Sequence, residues 1–382
     1  MLAEQPLHGR RVTEVLATST GGVGTHVRSV LLQLRAAGAD VQVCGPGATE
    51  ELFSFTATGA TFAPVEISAG LAPAADARAV GRLRRALAGV DLVHAHGLRA
   101  GLVAAVARRL VTGRPALVLT LHNALPEGGG LRRRLLQVAE RATVRSADVV
   151  LTASGDLAEN ARRQGARDVR PAPVSAPPLP PARRDRADVR AELGLEDGRP
   201  LIVAVGRLHP QKGYDVLLDA AARWLGEERL TPLPLVAVAG DGPLHDELAD
   251  RIRDGLLPVT LLGRRNDVAD LLAAADLCVL PSRWEARSLT AQEALRTGTP
   301  LVATRTGGLP ELLGDAAELV PVGDADALAD AVVRVLADPE HAARLSEAGR
   351  RQAASWPDEA ATARQLVAVY RELLGPPRGG SR

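Results

Sequence analysis

The chain has 382 residues, 46% of them hydrophobic, 24% charged and only 2% aromatic, with a net charge of +1. That length exceeds one comfortable core and suits two domains, and the composition excludes disordered and fibrous classes. No basic stretch is interleaved with aromatics, so nucleic-acid binding is not expected.

In chain order, the first half alternates apolar strands with helical patterns. Strands are predicted at Val12–Thr18, Asp40–Cys44, Thr61–Ile67, Asp91–His96, Ala116–His122 and Asp148–Ser154. Near-continuous apolar strands separated by helices mark a parallel sheet covered on both faces. The stretch Pro171 to Asp188, with Pro177-Pro178-Leu179-Pro180-Pro181 inside it, breaks the pattern and reads as a linker. The alternation resumes with strands at Leu201–Val205, Leu235–Ala239, Val259–Leu262, Leu277–Leu280 and Leu301–Thr304. The expected division is an N-terminal domain 1–175, a linker 176–188, a C-terminal domain 189–357 and a tail 358–382. The helix expected at Asp358–Leu374 in that tail can pack back on the first domain. The fold class is α/β: two doubly wound, Rossmann-like domains facing each other across a cleft.

No apolar run reaches the roughly 18 residues of a membrane-spanning helix, and Met1 to Thr20 leads into a strand pattern rather than a signal peptide. A soluble, cytoplasmic protein is expected. Cys44 and Cys278 lie in apolar strand patterns and read as core residues. The charge is uneven: residues 1–180 carry +7 and the remainder −6.

In open parallel sheets, ligands bind outside the carboxyl ends of the strands. Gly21-Gly22-Val23-Gly24-Thr25-His26 follows the first strand, His94 and His96 close the fourth, and His122-Asn123 closes the fifth. The glycine turn before a helix at Val23–Ala37 offers N–H groups to an anion, unless glycine serves there only for its dihedrals. A nicotinamide-type dinucleotide site is disfavoured, because Val27 stands where a third glycine belongs and the second strand ends in Cys44-Gly45 without an acid. His94 and His96 are expected to leave their strand on opposite faces, one lining the cleft and one packing, which argues against zinc.

In the second half, Gly206-Arg207 and Lys212-Gly213 share one loop, and Lys212 is the only lysine among 46 basic residues. An arginine fork and a compact ammonium suit a diphosphate whose charge grows as it leaves. Glu285 lies in the loop after the strand at Leu277–Leu280, and Glu293 in the first turns of a helix at Leu289–Arg296. The helix start near Ser288 can take phosphate while the carboxylates accept from hydroxyls. The alternatives are codon bias for the lone lysine and two solvated glutamates on a charged loop.

Taken together, Gly21-Gly22-Val23, Thr120-Leu121-His122-Asn123, Gly206-Arg207 with Lys212-Gly213, Gly240-Asp241-Gly242-Pro243, the Glu285 and Glu293 pair and Thr306-Gly307-Gly308-Leu309-Pro310-Glu311 resemble the retaining GT-B glycosyltransferases of the glycogen-synthase-like family, also called family four or glycosyl transferases group 1. The resemblance implies transfer of a hexose-type sugar from a nucleoside-diphosphate sugar to a lipid, polyol or glycan, with configuration retained, no cofactor and no essential metal. It implies that Arg207 and Lys212 hold the diphosphate, Glu285 the donor-sugar hydroxyls and Glu293 the ribose. Gly22 would admit backbone to the phosphates, and His122 would line the reaction centre. Gly206, Gly240, Arg264, Ser288 and Leu289 complete the expected donor set. Gly21, His26, His96 and Asn123 form the expected acceptor side.

The departure from the family pattern is Ala286-Arg287-Ser288 in place of Gly-Phe-Gly. Arg287 is therefore expected beside the donor phosphates or an anionic sugar. Two rivals remain: a sugar-nucleotide 2-epimerase of the same fold, and a nucleotide-sugar-binding protein with weakened chemistry. Helix faces carrying Arg134, Arg141 and Arg145, and Arg78, Arg82 and Arg85, suit either peripheral contact with an anionic membrane, at its inner face, or an acidic acceptor, or simply water. Acceptor determinants are expected in loops such as Pro126–Gly130.

Overall fold

A computed structural model describes residues 5–19, 21–68, 70, 72–124, 130–172 and 180–375. The expected loop at 126–129 and the proline run at 177–179 lie outside these residues. The chain divides into two compact units, one of residues 1–177 with 357–382 and one of residues 178–356.

The first unit runs β1 (Arg11–Leu16), α1 (Gly22–Ala36), β2 (Asp40–Gly45), α2 (Gly47–Phe53), β3 (Thr61–Pro64), α3 (Pro73–Ala86), β4 (Leu92–His96), α4 (Gly97–Arg109), β5 (Ala116–Leu121), α5 (Gly130–Ser146), β6 (Val149–Thr152), α6 (Gly155–Arg163) and β7 (Val169–Pro171). Its strands pair in parallel in the order β3-β2-β1-β4-β5-β6-β7. Val12, Leu16, Leu92 and Val118 of the sheet pack with Val27, Leu31 and Leu34 of α1. The helix formed by Glu359–Leu374, the last in the chain, adds Leu366, Val369 and Tyr370 to the same core. Asp358 starts it by accepting from Ala361 N at 2.5 Å, satisfying one otherwise orphaned N–H.

The second unit runs α7 (Arg186–Glu192), β8 (Leu201–Val205), α8 (Tyr214–Trp224), β9 (Leu235–Ala239), α9 (His245–Asp254), β10 (Val259–Gly263), α10 (Val268–Ala274), β11 (Leu277–Leu280), α11 (Leu289–Thr297), β12 (Leu301–Thr304), α12 (Leu309–Leu313), β13 (Glu318–Val320), α13 (Ala325–Ala337) and α14 (Pro339–Ser355), which makes the final helix of the chain α15. The strand order is β10-β9-β8-β11-β12-β13, again parallel. Apolar side chains fill both faces: Ile202, Val236 and Val279 point toward α8 and α13, and Leu201, Val203 and Cys278 toward α10 and α11.

Three local results differ from the sequence expectation. Pro171, taken as the start of the linker, ends β7, where Val150, Leu151 and Thr152 of β6 pair with Val169, Arg170 and Pro171. A proline at the end of an edge strand costs no ladder bond on its open side. Helix α7 begins at Arg186, inside the stretch read as linker. The short β13 also escaped prediction.

An aspartate precedes each of three strands in the same way: Val90-Asp91-Leu92, Ala147-Asp148-Val149 and Ala275-Asp276-Leu277. Each carboxylate accepts a backbone N–H near the start of a neighbouring strand: Arg11 N to Asp91 at 2.9 Å, Leu117 N to Asp148 at 2.8 Å and Leu201 N to Asp276 at 2.7 Å. A charged acceptor thereby closes the first rung of the ladder. Asp276 also receives Arg190 at 3.1 Å and pairs with Arg186.

Asp276→Ala should therefore lower the stability of the second unit by about 2 kcal/mol, with Asp276→Asn costing less because it keeps an acceptor. All three tryptophans, Trp224, Trp284 and Trp356, lie in this unit. Urea unfolding followed by tryptophan fluorescence reads its loss directly.

Candidate active site

Each sheet has one place where neighbouring strands send their connections in opposite directions, opening a crevice at their carboxyl ends. The orders above put it between β1 and β4 in the first unit and between β8 and β11 in the second. Most of the singled-out residues collect at or beside those two places.

In the second unit, β8 leads into Gly206-Arg207 and a 3-10 turn at Pro210–Lys212. Gly213 ends that turn at φ 68°, and a Cβ there would collide with the Pro281 carbonyl after β11. Two hydrogen bonds stitch the loops: Arg283 N to Gln211 O at 2.7 Å and Gln211 Nε2 to Trp284 O at 2.8 Å. Lys212 Nζ then lies 2.5 Å from Glu285 Oε1, which also accepts from Ser282 Oγ at 2.8 Å. Glu285 is buried, and its carbonyl is held by Gly308 N at 2.9 Å. The structure thus joins the expected phosphate lysine directly to the expected sugar glutamate.

Around this pair, Gly240 follows β9 so closely packed that a Cβ would strike the Gly206 carbonyl. Ser288 caps α11 by accepting from Ala291 N at 3.3 Å, and Leu289 opens the helix. Arg207 is exposed, as is Arg264, which follows β10 two strands from β8. Glu293 is half-buried on α11, and burial pushes its carboxyl up to about 7 against the pull of Arg296.

Arg287 has a contact that the sequence did not show. Its guanidinium lies over the Trp356 ring at 5.6 Å, and burial lowers its pKa while Glu311 opposes that shift. The side chain thus packs against Trp356.

In the first unit, Gly21 and Gly22 open α1 with no side-chain cap, and α1 carries His26. His26 approaches His122 and His96 edge-on, with ring centroids at 5.7 and 6.1 Å. His96 and His122 are stacked at 5.3 Å, with His96 Nδ1 3.1 Å from His122 Nε2. Asn123 is exposed and outside this group.

The expectation that His94 and His96 diverge is wrong. Residues two apart on a strand share a face, and both rings turn to the same buried carboxylate, Glu14 of β1. His96 Nε2 is 2.7 Å and His94 Nδ1 3.3 Å from Glu14 Oε2. Donor atoms of Glu14, His94 and His96 lie within 4.8 Å of one another, the spacing of a metal-ligand set. Those atoms are already engaged: Tyr370 O–H donates to Glu14 Oε1 at 2.9 Å, and His94 meets Tyr370 and Thr120 at 2.6 Å each.

Burial would raise the Glu14 carboxyl, but the facing His94 and His96 outweigh it and hold the group below the usual carboxylate range. Burial lowers His96 to about 4 and His26 to about 3, and pushes His122 well down. Sequence reasoning missed Glu14, Tyr370 and Ser282. Only Glu14 left a signal, as one acid in the apolar run Val12-Thr13-Glu14-Val15.

Residues 185–352 match the family model of glycosyl transferases group 1, and residues 21–177 that of the glycosyl transferase 4-like domain. The chain is 31% identical to a D-inositol 3-phosphate glycosyltransferase of Corynebacterium urealyticum over 76% of its own length and 73% of the relative's. It is 30% identical to an alpha-maltose-1-phosphate synthase of Mycolicibacterium smegmatis over 92% and 96%. Among solved structures, sucrose-phosphate synthase from Thermosynechococcus elongatus has a TM-score of 0.78 at 23% identity, covering 95% of this chain and 99% of that one. The Anabaena protein HepE in complex with UDP-glucose has 0.79 at 21%, covering 95% and 99%. Among the described residues, no helix is long and apolar enough to cross a membrane.

A carboxyl raised by burial binds its proton more tightly in the folded than in the unfolded chain, so its contribution to stability falls as pH rises from about 4.5 to about 7. Glu293→Gln should accordingly gain stability over the parent at pH 8 and not at pH 5, as read by denaturation at the two pH values.

Proposed function

We propose that this chain, which belongs to the glycosyl transferases group 1 family, has the two-domain α/β GT-B fold and is a sugar-nucleotide glycosyltransferase, transfers a hexose-type sugar with retention of configuration and without an essential metal. The observation that carries the reading is the Lys212–Glu285 pair at the β8/β11 crevice. It sets the chain's single lysine beside a buried carboxylate, so one group meets a diphosphate while its neighbour meets the sugar attached to it.

In this reading Arg207 and Lys212 take up the charge that grows on the diphosphate as its bond to the sugar C1 breaks. The amino-terminus of α11, capped at Ser288, adds the positive end of a helix dipole. These cationic groups do the neutralising that a divalent ion would otherwise do. Glu285 accepts from donor-sugar hydroxyls and Glu293 from the ribose. The acceptor oxygen attacks C1 from the face the diphosphate leaves, and its proton passes to a diphosphate oxygen. The relatives' names, inositol 3-phosphate and maltose 1-phosphate, favour a phosphorylated polyol or sugar as acceptor. The +7 charge of residues 1–180 suits such an anion.

Assays pairing UDP-, GDP- and ADP-glucose with inositol 3-phosphate, glucose 1-phosphate and their unphosphorylated parents test this. The expected product is α-linked by NMR, formed equally fast in EDTA. An inverted product would overturn retention, and a rate abolished by EDTA would overturn metal independence. Arg207→Ala should lower kcat by about 100-fold with KM for the donor little changed, whereas Glu293→Ala should raise that KM by about 10-fold and spare kcat. Equal losses in both parameters would contradict these roles.

A finer part of the reading concerns α5, where Leu135 and Val138 are exposed beside the basic Arg134, Arg141 and Arg145. The helix suits peripheral contact with an anionic bilayer. Flotation with vesicles rich in phosphatidylserine should carry the protein up at low salt and release it at high salt. No co-migration at low salt removes this part.

A further inference from the structure

We propose that the buried chain Tyr370–Glu14–His96 positions His122 in a single tautomer, its proton on Nε2 and its lone pair at Nδ1 presented to a hydroxyl of the reacting sugars. The use of that lone pair rests on the reading above, in which His122 lines the reaction centre; the tautomer itself does not.

The geometry leaves few choices for the protons. Glu14 is fully buried in the middle of β1, opposite His94 in the β1/β4 register. As a carboxylate it only accepts, so the proton between Glu14 Oε2 and His96 Nε2, 2.7 Å apart, belongs to His96. Tyr370 spends its proton on Glu14 Oε1 at 2.9 Å, and its oxygen is then free to accept from His94 Nδ1 at 2.6 Å. Burial, helped by His94, lowers His96 to about 4 against the opposing pull of Glu14, so the ring is neutral at physiological pH and its remaining Nδ1 carries a lone pair. The atom 3.1 Å from that lone pair is His122 Nε2, which must therefore be the donor. Nothing in this sequence depends on how the Thr120 hydroxyl turns toward His94 Nε2 at the far end.

Other groups do not undo the assignment. His26 of α1 faces His122 edge-on, and its own lowered pKa keeps it uncharged. His94 and Thr120 lie on the other side of Glu14 from His122 in the order of hydrogen bonds. His122 is pushed well below the ordinary histidine range by burial and its histidine neighbours, so the ring stays neutral.

A buried carboxylate costs stability that an apolar side chain would not, and strands packed as densely as β1 and β4 do not need one. Its effect is to fix which imidazole nitrogen carries the proton, the task a buried acid performs for the histidine of hydrolase triads. Here the orientation passes through one more ring. Tyr370 brings the C-terminal helix α15 into the same network, so the last element of the chain helps set a side chain that follows β5.

The test uses the full chain labelled with nitrogen-15 histidine. Eight histidines are present, and the His122 signals are identified by their loss in His122→Asn. In the wild type, His122 should appear as the neutral Nε2–H form from pH 6 to pH 8. A proton on Nδ1 overturns the proposal without any variant. Glu14→Gln removes the obligate acceptor. Its His122 should shift toward the Nδ1–H form or an averaged mixture, and kcat should fall about 10-fold or more with the donor KM unchanged within twofold. A Glu14→Gln protein that folds, as the dispersed amide spectrum of its first unit would report, and keeps a pure Nε2–H His122 or wild-type kcat also overturns it. Wild-type protein without transferase activity would sink the functional reading instead, leaving the tautomer to be judged by its own signal.

Discussion

Parallel strands cannot be joined by a tight turn, so each connection must cross back over the sheet, and each segment that follows a strand opens at the same edge. Every described strand pair in both units is parallel. Lys212 and Glu285 stand 73 positions apart in the chain and still share a contact, because β8 and β11 are neighbours whose exits face one another. In the same way β1, β4 and β5 deliver Gly21, His96 and His122 to one rim. The chemistry depends on this delivery more than on any single bond. Gly213 shows how tightly it is set, since the loops approach closely enough to forbid a side chain there.

Two glutamates in this frame show how neighbours decide what burial does. Glu14 and Glu293 are both removed from water, which by itself favours the protonated form of each. Glu14 has a tyrosine hydroxyl and two imidazoles turned toward it and remains ionised. Glu293 has Arg296 nearby, whose pull is weaker than burial, and titrates near neutrality. Environments that push like groups apart are characteristic of sites that bind or react. A nucleotide ribose, rich in donors, is the kind of ligand that would restore to Glu293 what the protein itself does not supply.

Much of the fold was legible because the central strands are unbroken runs of Val, Leu, Ile and Ala flanked by helical patterns. The three-residue strands β7 and β13 were not, since Val169-Arg170-Pro171 and Glu318-Leu319-Val320 are too short to show a period and gain their identity only by pairing with a neighbour. Arg207, Lys212, Glu285 and Glu293 were readable from residue type and loop position. The partnership of Lys212 with Glu285 was not, because it requires knowing that β8 and β11 adjoin. The histidine network was misread for a simpler reason, the two-residue repeat of a strand having been applied with the wrong sense. Tyr370 could not have been found at all: 356 residues separate it from Glu14, and it looks in sequence like one more apolar position of an amphipathic helix. The contact of Arg287 with Trp356 was not legible either, because the two stand far apart in the chain.

The scarcity of lysine gives the second unit a property that most proteins of this size lack. Amine-directed reagents such as activated esters or aldehydes ordinarily modify a protein at dozens of positions. Here they meet one side-chain amine, and it lies against Glu285 in the crevice rather than on an open surface. Besides the chain's own amino-terminus, the mass added by such a reagent counts events at that one atom. A molecule that covers Lys212 shields it, so the extent of labelling becomes a measure of occupancy at that point that requires no knowledge of what the occupant is.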